Sequence, residues 1–221
     1  MRLSRLLLPF FLLCSPWACA SDFYLGVNLG ALDQSGEFRL VDSTLYPDVG
    51  IDSEKNLALP DEVASSVSLL AGYKLSRDMA LEAGFVRNDK VKGEYRAISA
   101  TERALEETET SYLYAALVGV WPVNGGWAFN ARLGVAIWDM DYTQLVYDAS
   151  VTDPVDAETS RVETLSDTTS ATLLGIGVSY GLTSSLEIKL GLETHLAEFA
   201  FTNLELENDL HLLQLGLAYH F

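Results

Sequence analysis

Beyond residue 20 the chain has no cysteine, because both, Cys14 and Cys19, fall in the first twenty residues. Disulfides, thiolate nucleophiles and cysteine-ligated zinc are thereby excluded from the remainder. Basic residues are scarce as well. Without Arg2 and Arg5, 12 basic residues face 31 acidic ones, a net charge of −19. A nucleic-acid partner needs a basic face, so none is expected. Long apolar runs are missing too: nothing after residue 20 offers the roughly twenty consecutive apolar residues of a membrane helix. The three histidines, His195, His211 and His220, are scattered without zinc-ligand spacing, and no glycine-rich phosphate motif occurs.

What the first twenty residues do contain is an address. Arg2 and Arg5 precede an apolar stretch from Leu6 to Leu13, and Ala18-Cys19-Ala20 forms a small-residue cleavage site. This is a secretory signal, residues 1–20, expected to be removed after Ala20 to leave one domain over 21–221. Ahead of Cys19, "PWA" lacks the leucine usual before a lipidated cysteine.

The mature chain alternates with a period of two. Phe23, Leu25, Val27 and Leu29 share one face, and Tyr24, Gly26, Asn28 and Gly30 the other. Similar alternation sets Val67, Leu69, Ala71 and Tyr73 apart, then Met79, Leu81, Ala83 and Phe85, then Tyr114, Ala116, Val118 and Val120. It continues through Trp127–Ile137, Leu174–Tyr180 and Leu186–Leu192, and ends with Leu213, Leu215, Leu217, Tyr219 and Phe221. Eight strands result. Short turns at Ser76–Asp78, Pro122–Gly126 and Leu182–Ser184 alternate with long connections near 39–62, 96–110, 143–168 and 202–208, so the two ends of the structure differ.

None of these apolar faces carries a charge, while the opposite faces are rich in glycine and alanine. A soluble sandwich would turn its charged face to water. The inverse arrangement fits better: apolar residues outward to lipid, small or polar residues filling a narrow interior. Backbone groups in lipid must all be paired, so the sheet has to close. The expected fold is all-β, an eight-stranded antiparallel transmembrane β-barrel, with Tyr73, Tyr114, Trp127, Tyr180 and Tyr219 as an interfacial girdle.

With "YLGVNLGA", "LLAGYKLSRDMALEAGF", "FNARLGVAIW", "GIGVSYGLTSSLEIKLGLE" and "LQLGLAYHF", the chain resembles the OmpA-like eight-stranded outer-membrane barrels of Gram-negative bacteria. The resemblance implies a bacterial outer-membrane location beside lipid and lipopolysaccharide, and a monomer. It also makes Leu217, Tyr219 and Phe221 a signal for the outer-membrane assembly machinery. Nothing follows Phe221, so the periplasmic peptidoglycan-binding domain of larger members is not expected. Some such barrels place an inward lysine on the fourth strand; here Leu117 stands in that place.

Strand parity turns Glu82, Arg132, Glu187, Lys189 and Glu193 inward as an interior polar network, with Asn28, Asn130 and Gln214 as neutral partners. A filled ion-pair core is favoured over a gated pore, since an eight-strand lumen holds little beyond its side chains. A lipid-modifying hydrolase would need His and Ser two residues apart near an acid. Ala197 follows His195 at that spacing, and His211 and His220 lack such a neighbour in sequence. No catalytic, cofactor-binding or metal residue is therefore assigned.

Acidic residues crowd the long connections: Asp42, Asp48, Asp52, Glu54, Asp61 and Glu62; Glu102, Glu106, Glu107 and Glu109; Asp148, Asp153, Asp156, Glu158, Glu163 and Asp167. Hard carboxylate oxygens make divalent cations candidate partners, although calcium-loop spacing is absent. The expected role is structural or surface-interacting, carried by these loops; a narrow porin-like channel is the alternative and a lipid-modifying enzyme a distant third.

Overall fold

A computed structural model describes residues 22–40, 63–95, 102–148, 161–201 and 204–221. Residues 1–21 and the stretches 41–62, 96–101, 149–160 and 202–203 lie outside them. The elements are β1 (Phe23–Leu40), β2 (Ala64–Lys74), β3 (Met79–Asn88), β4 (Val91–Tyr95), β5 (Glu102–Pro122), β6 (Trp127–Asp148), β7 (Arg161–Gly181), β8 (Leu186–Phe201) and β9 (Leu204–His220). All pairings are antiparallel, and β1 is hydrogen-bonded to β2 on one side and to β9 on the other. β3 and β4 both pair with β5 and so form one stave, which gives a closed eight-stranded barrel. Closure leaves no unpaired edge within the belt, as hydrocarbon surroundings demand.

The outward faces are apolar. On β6, Trp127, Phe129, Leu133, Val135 and Ile137 are all more than half exposed; from Trp127 to Ile137 they fit the roughly 9–11 residues of a tilted spanning strand. The termini and the short turns at 75–78, 123–126 and 182–185 gather at one end. There Gly125 and Gly126 take φ of 80° and 86°, the left-handed values that let β5 turn into β6 within a few residues. Aromatic residues mark this end of the belt: Trp127 and Tyr180 meet with ring centroids 4.9 Å apart, and Phe23 and Phe221 at 5.8 Å.

Three sequence expectations change. First, β5 is turned over. Tyr114, Ala116 and Val118 are buried inside, while Leu113 and Leu117 face lipid. Both faces of this strand are apolar, so periodicity alone did not fix its parity. Tyr114 is therefore not in the girdle, and Leu117 does not stand in for an interior lysine. Second, the strands run beyond the belt: Glu102, Glu106, Glu107 and Glu109 lie in β5, Asp148 in β6, and Glu163 and Asp167 in β7. Third, the interior is not only small and polar, because Trp138, Tyr112, Met140, Leu32, Leu173, Leu210 and Leu212 are fully buried within it.

Candidate functional site

The lumen holds the chain's concentration of chemistry. Glu82 on β3, Arg132 on β6, and Glu187, Lys189 and Glu193 on β8 all point into it. Glu82 sits at the junction, its side chain wholly buried. One carboxylate oxygen accepts from Lys189 Nζ at 2.8 Å and from the Tyr24 hydroxyl at 2.7 Å, and the other faces Arg132 Nη2 at 3.0 Å. The Arg132 Nη1 donates to Glu193. Lys189 also lies over the Tyr24 ring, 4.5 Å from its centroid. Each buried charge thus has an opposite charge at hand, without which burial would be prohibitive.

The network continues in both directions. Toward the termini, Lys189 stands 4.0 Å from Glu187, which pairs with His220 at 3.0 Å. Away from them, Glu193 stands 3.7 Å from His195. His220, Glu187, Lys189, Glu82, Arg132, Glu193 and His195 therefore form one chain of alternating base and acid along the lumen. Among the neutral partners, Asn28 donates to Ser68 at 2.8 Å and to Gln214 at 2.9 Å, and Gln214 donates to Glu193 at 3.5 Å. Asn130 is half-buried on the same inner face, its side-chain oxygen crowding the position a Cβ would take on Gly177.

An aromatic layer closes the chain above His195. Tyr112 stacks on Trp138 with centroids 4.1 Å apart, and His195 meets both edge-on at 4.8 and 5.1 Å. The Tyr112 hydroxyl reaches back to Glu193 at 3.5 Å, joining the two layers. Sequence reading missed Tyr112 and Trp138. Trp138 was within reach, since it continues the even-numbered inward series of Arg132 on β6; Tyr112 was hidden by the ambiguous parity of β5.

Leu217 and Tyr219 face outward on the seam strand β9, where they pair with Val27 and Leu25, and Phe221, just past its end, is exposed as well. The Phe221 amide donates to the Phe23 carbonyl at 3.1 Å, tying the last residue to the first strand. On the outer wall the structure also supplies a neighbour for His211: Thr194 Oγ1 lies 3.1 Å from its Nδ1 across the β8–β9 ladder. Asp33 stands opposite His211 in the β1–β9 ladder, yet no ion pair to His211 occurs among the described residues, and the adjacent backbone amides are in the ladder. Among the same residues, no group of three His, Asp or Glu could hold a metal ion.

A family profile for the OmpA-like transmembrane domain matches residues 18–221. No curated protein sequence matches the chain. Among solved structures, the chain is similar to Neisserial surface protein A, with 12% identity and a TM-score of 0.50 over 90% of this chain and 97% of that one. It is also similar to the outer membrane protein AlkL, solved in lipid bilayers, with 14% identity and a TM-score of 0.50 over 91% of this chain and 90% of that one. At such identity these likenesses concern the fold. The chain belongs to the OmpA-like transmembrane domain family and is a β-barrel of the bacterial outer membrane.

Proposed function

We propose that this barrel is a closed, non-enzymatic scaffold whose role is structural or surface-interacting and is carried by its extracellular rim and acidic loops. The observation that carries the reading is the filling of the lumen. Arg132 bridges Glu82 and Glu193 at one level, and Tyr112, Trp138 and His195 occupy the next. A lumen spent on its own side chains leaves the loops as the part free to act. At the Thr194–His211 pair, Asp33 stands across the β1–β9 ladder from His211 without an ion pair to orient the imidazole, and the local amides are held in the strand ladders rather than free for an oxyanion.

Complementation of a deletion strain tests the reading. Residues 44–58 are replaced by a short glycine-serine linker, and the wild type and this variant are compared for surface adhesion and envelope leakage. The wild type restores both; the variant restores envelope integrity but not adhesion. Steady conductance of the wild type in planar bilayers overturns the reading in favour of a channel, and turnover of lipid A by purified protein overturns it in favour of an enzyme.

A further inference from the structure

The β7–β8 ladder is short. It ends at Thr172 and Leu196, whereas β7 stays paired with β6 as far as Arg161, and β8 with β9 as far as Phe201. Above Thr172 the wall therefore parts into two sheets, and β7 is the margin of one of them. Among the described residues no strand pairs with that side of β7. Ladder parity identifies the backbone groups left over. The Leu182 amide donates to the Leu186 carbonyl at 2.8 Å, and the register on both sides of β7 is unbroken from there. The even-numbered residues of β7 thus turn their N–H and C=O toward β8. Ser170, Thr168, Ser166, Thr164 and Val162 continue that set with no ladder to enter among the described residues.

Hydrocarbon does not tolerate such a margin, because unpaired backbone groups find no water there. Leu174 and Leu196 are the last exposed apolar residues on their outer faces, so the wall parts where the belt ends, on the side away from the termini. In water a free edge is usually guarded by proline, lysine or a bulge. From Val162 to Thr172 there is no Pro, no Lys and no break in register. The exposed side chains Ser166, Thr168, Ser170 and Thr172 are small hydroxyls. One strand further in, Asp139 and Asp141 are exposed and accept from Thr168 at 3.1 Å and from Ser166 at 2.5 Å. A strand laid along β7 would run about 10 Å from β6. Only a long side chain on its outer face, Lys or Arg, reaches those carboxylates.

We propose that the free margin of β7 is a docking site for an extended, basic segment of another polypeptide, added to the sheet as a strand. The backbone bonds supply affinity, and Asp139 and Asp141 select Lys or Arg on alternate residues. A second copy of this chain is a poor occupant, since beyond Arg2 and Arg5 it carries 12 basic against 31 acidic residues. The inference rests on the scaffold reading above and extends the interacting rim from the loops to a strand backbone.

The test titrates folded wild-type protein in phosphatidylcholine nanodiscs into a labelled synthetic peptide of alternating Lys and Thr, read by fluorescence anisotropy. The Lys-Thr peptide binds. Its backbone N-methylated form, which keeps the charge but has no N–H to donate, does not, and neither does a Glu-Thr peptide. Ser170→Pro, which removes an N–H from the free side and none from the β6 ladder, weakens binding about tenfold. Asp139→Asn and Asp141→Asn weaken it about two- to fivefold each. Asp78→Asn, at the opposite end of the barrel, leaves it unchanged. Heat-modifiable mobility reports folding, and the comparison of the three peptides on wild type stands whatever the variants do. Equal binding of the N-methylated peptide overturns strand addition, equal binding of the Glu-Thr peptide overturns the basic partner, and no binding of the Lys-Thr peptide overturns the site. Wild-type dimers that Ser170→Pro dissolves overturn the occupant in favour of a second copy. Planar-bilayer current and lipid A turnover, which decide the scaffold reading, do not involve this margin, so the two failures are distinguishable.

Discussion

Lys189 donates a 2.8 Å hydrogen bond to Glu82, a residue 107 positions earlier in the chain. In the ring of strands β8 stands opposite β3, so this bond crosses the lumen. The same carboxylate takes Tyr24 from β1 and faces Arg132 from β6, which makes it the point where distant staves are joined.

Glu82→Gln should therefore cost more than the loss of one ion pair at a surface. It leaves Lys189 and Arg132 buried with less negative charge, a loss of about 3–5 kcal/mol when a buried pair is broken from one side. Urea unfolding in detergent micelles or vesicles should show the midpoint fall. Adding Lys189→Met to Glu82→Gln should return part of the stability, since the orphaned cation is gone. A single variant as stable as wild type would show that the lumen hydrates freely.

Gly72 is opposite Tyr24 in the β1–β2 ladder, and a Cβ there would run into the Tyr24 ring. Gly72→Ala should push that ring away from Glu82 and destabilise the barrel by about 1–3 kcal/mol, as overpacking does. At Gly191 the nearest atom to an added Cβ is the Ile176 carbonyl oxygen at 3.7 Å, an ordinary contact. Gly191→Ala should be tolerated. Thermal loss of heat-modifiable mobility compares the two, and equal behaviour would remove the steric explanation.

These two cases also show what was legible in the sequence. Where a strand carries a charge on one face, as Glu82 does on β3, Arg132 on β6 and Lys189 on β8, alternation fixes which face is inward. On β5, with Leu113, Leu117, Tyr114 and Val118 all apolar, it does not, because an aromatic layer in the lumen and a lipid belt outside ask for the same residue types. The bulge that sets Asn88, Asp89 and Lys90 opposite only Thr110 and Glu109 was equally hidden, since a single extra residue leaves no compositional trace. Nor does periodicity mark where lipid ends, so polar strand extensions such as Glu107 and Glu109 read as loop.

Outside the belt, the hydrogen bond from Lys92 holds the Glu107 carboxyl below its ordinary range. A depressed carboxylate contributes stability above its unfolded pKa, about 4.3, and loses it as pH falls through the lower folded value. The outer-wall contacts of Lys92 and Lys90 should thus persist through neutral and mildly acidic pH and release only below about pH 4. The ammonium and carboxyl NMR signals of these residues follow the release. A transition centred near pH 6 would assign the titration to a different group.

Phe221 joins the seam twice, by its amide to Phe23 and by ring contacts with Phe23 and with Tyr219, whose centroid is 5.1 Å away. Deleting Phe221 removes these ties and the terminal aromatic expected to be read during assembly. The outer-membrane fraction should fall and chains should accumulate in the periplasm. An undiminished heat-modifiable band in outer-membrane preparations would place the signal elsewhere.

The two lumen layers make a prediction that neither makes alone. Removing the Arg132 side chain opens the ionic level, yet Tyr112, Trp138 and His195 still close the level above. Trp138→Ala opens the upper level but leaves Arg132 spanning Glu82 and Glu193. A continuous water path needs both, because conduction is limited by the narrowest point of a lumen only wide enough for its side chains. In planar bilayers the wild type and each single variant should show no steady conductance, whereas Arg132→Ala/Trp138→Ala should conduct. Leu133→Ala, on the lipid face, should leave conductance unaffected. Steady current through Arg132→Ala alone would mean that the aromatic layer is no barrier and that the ionic cluster by itself closes the barrel.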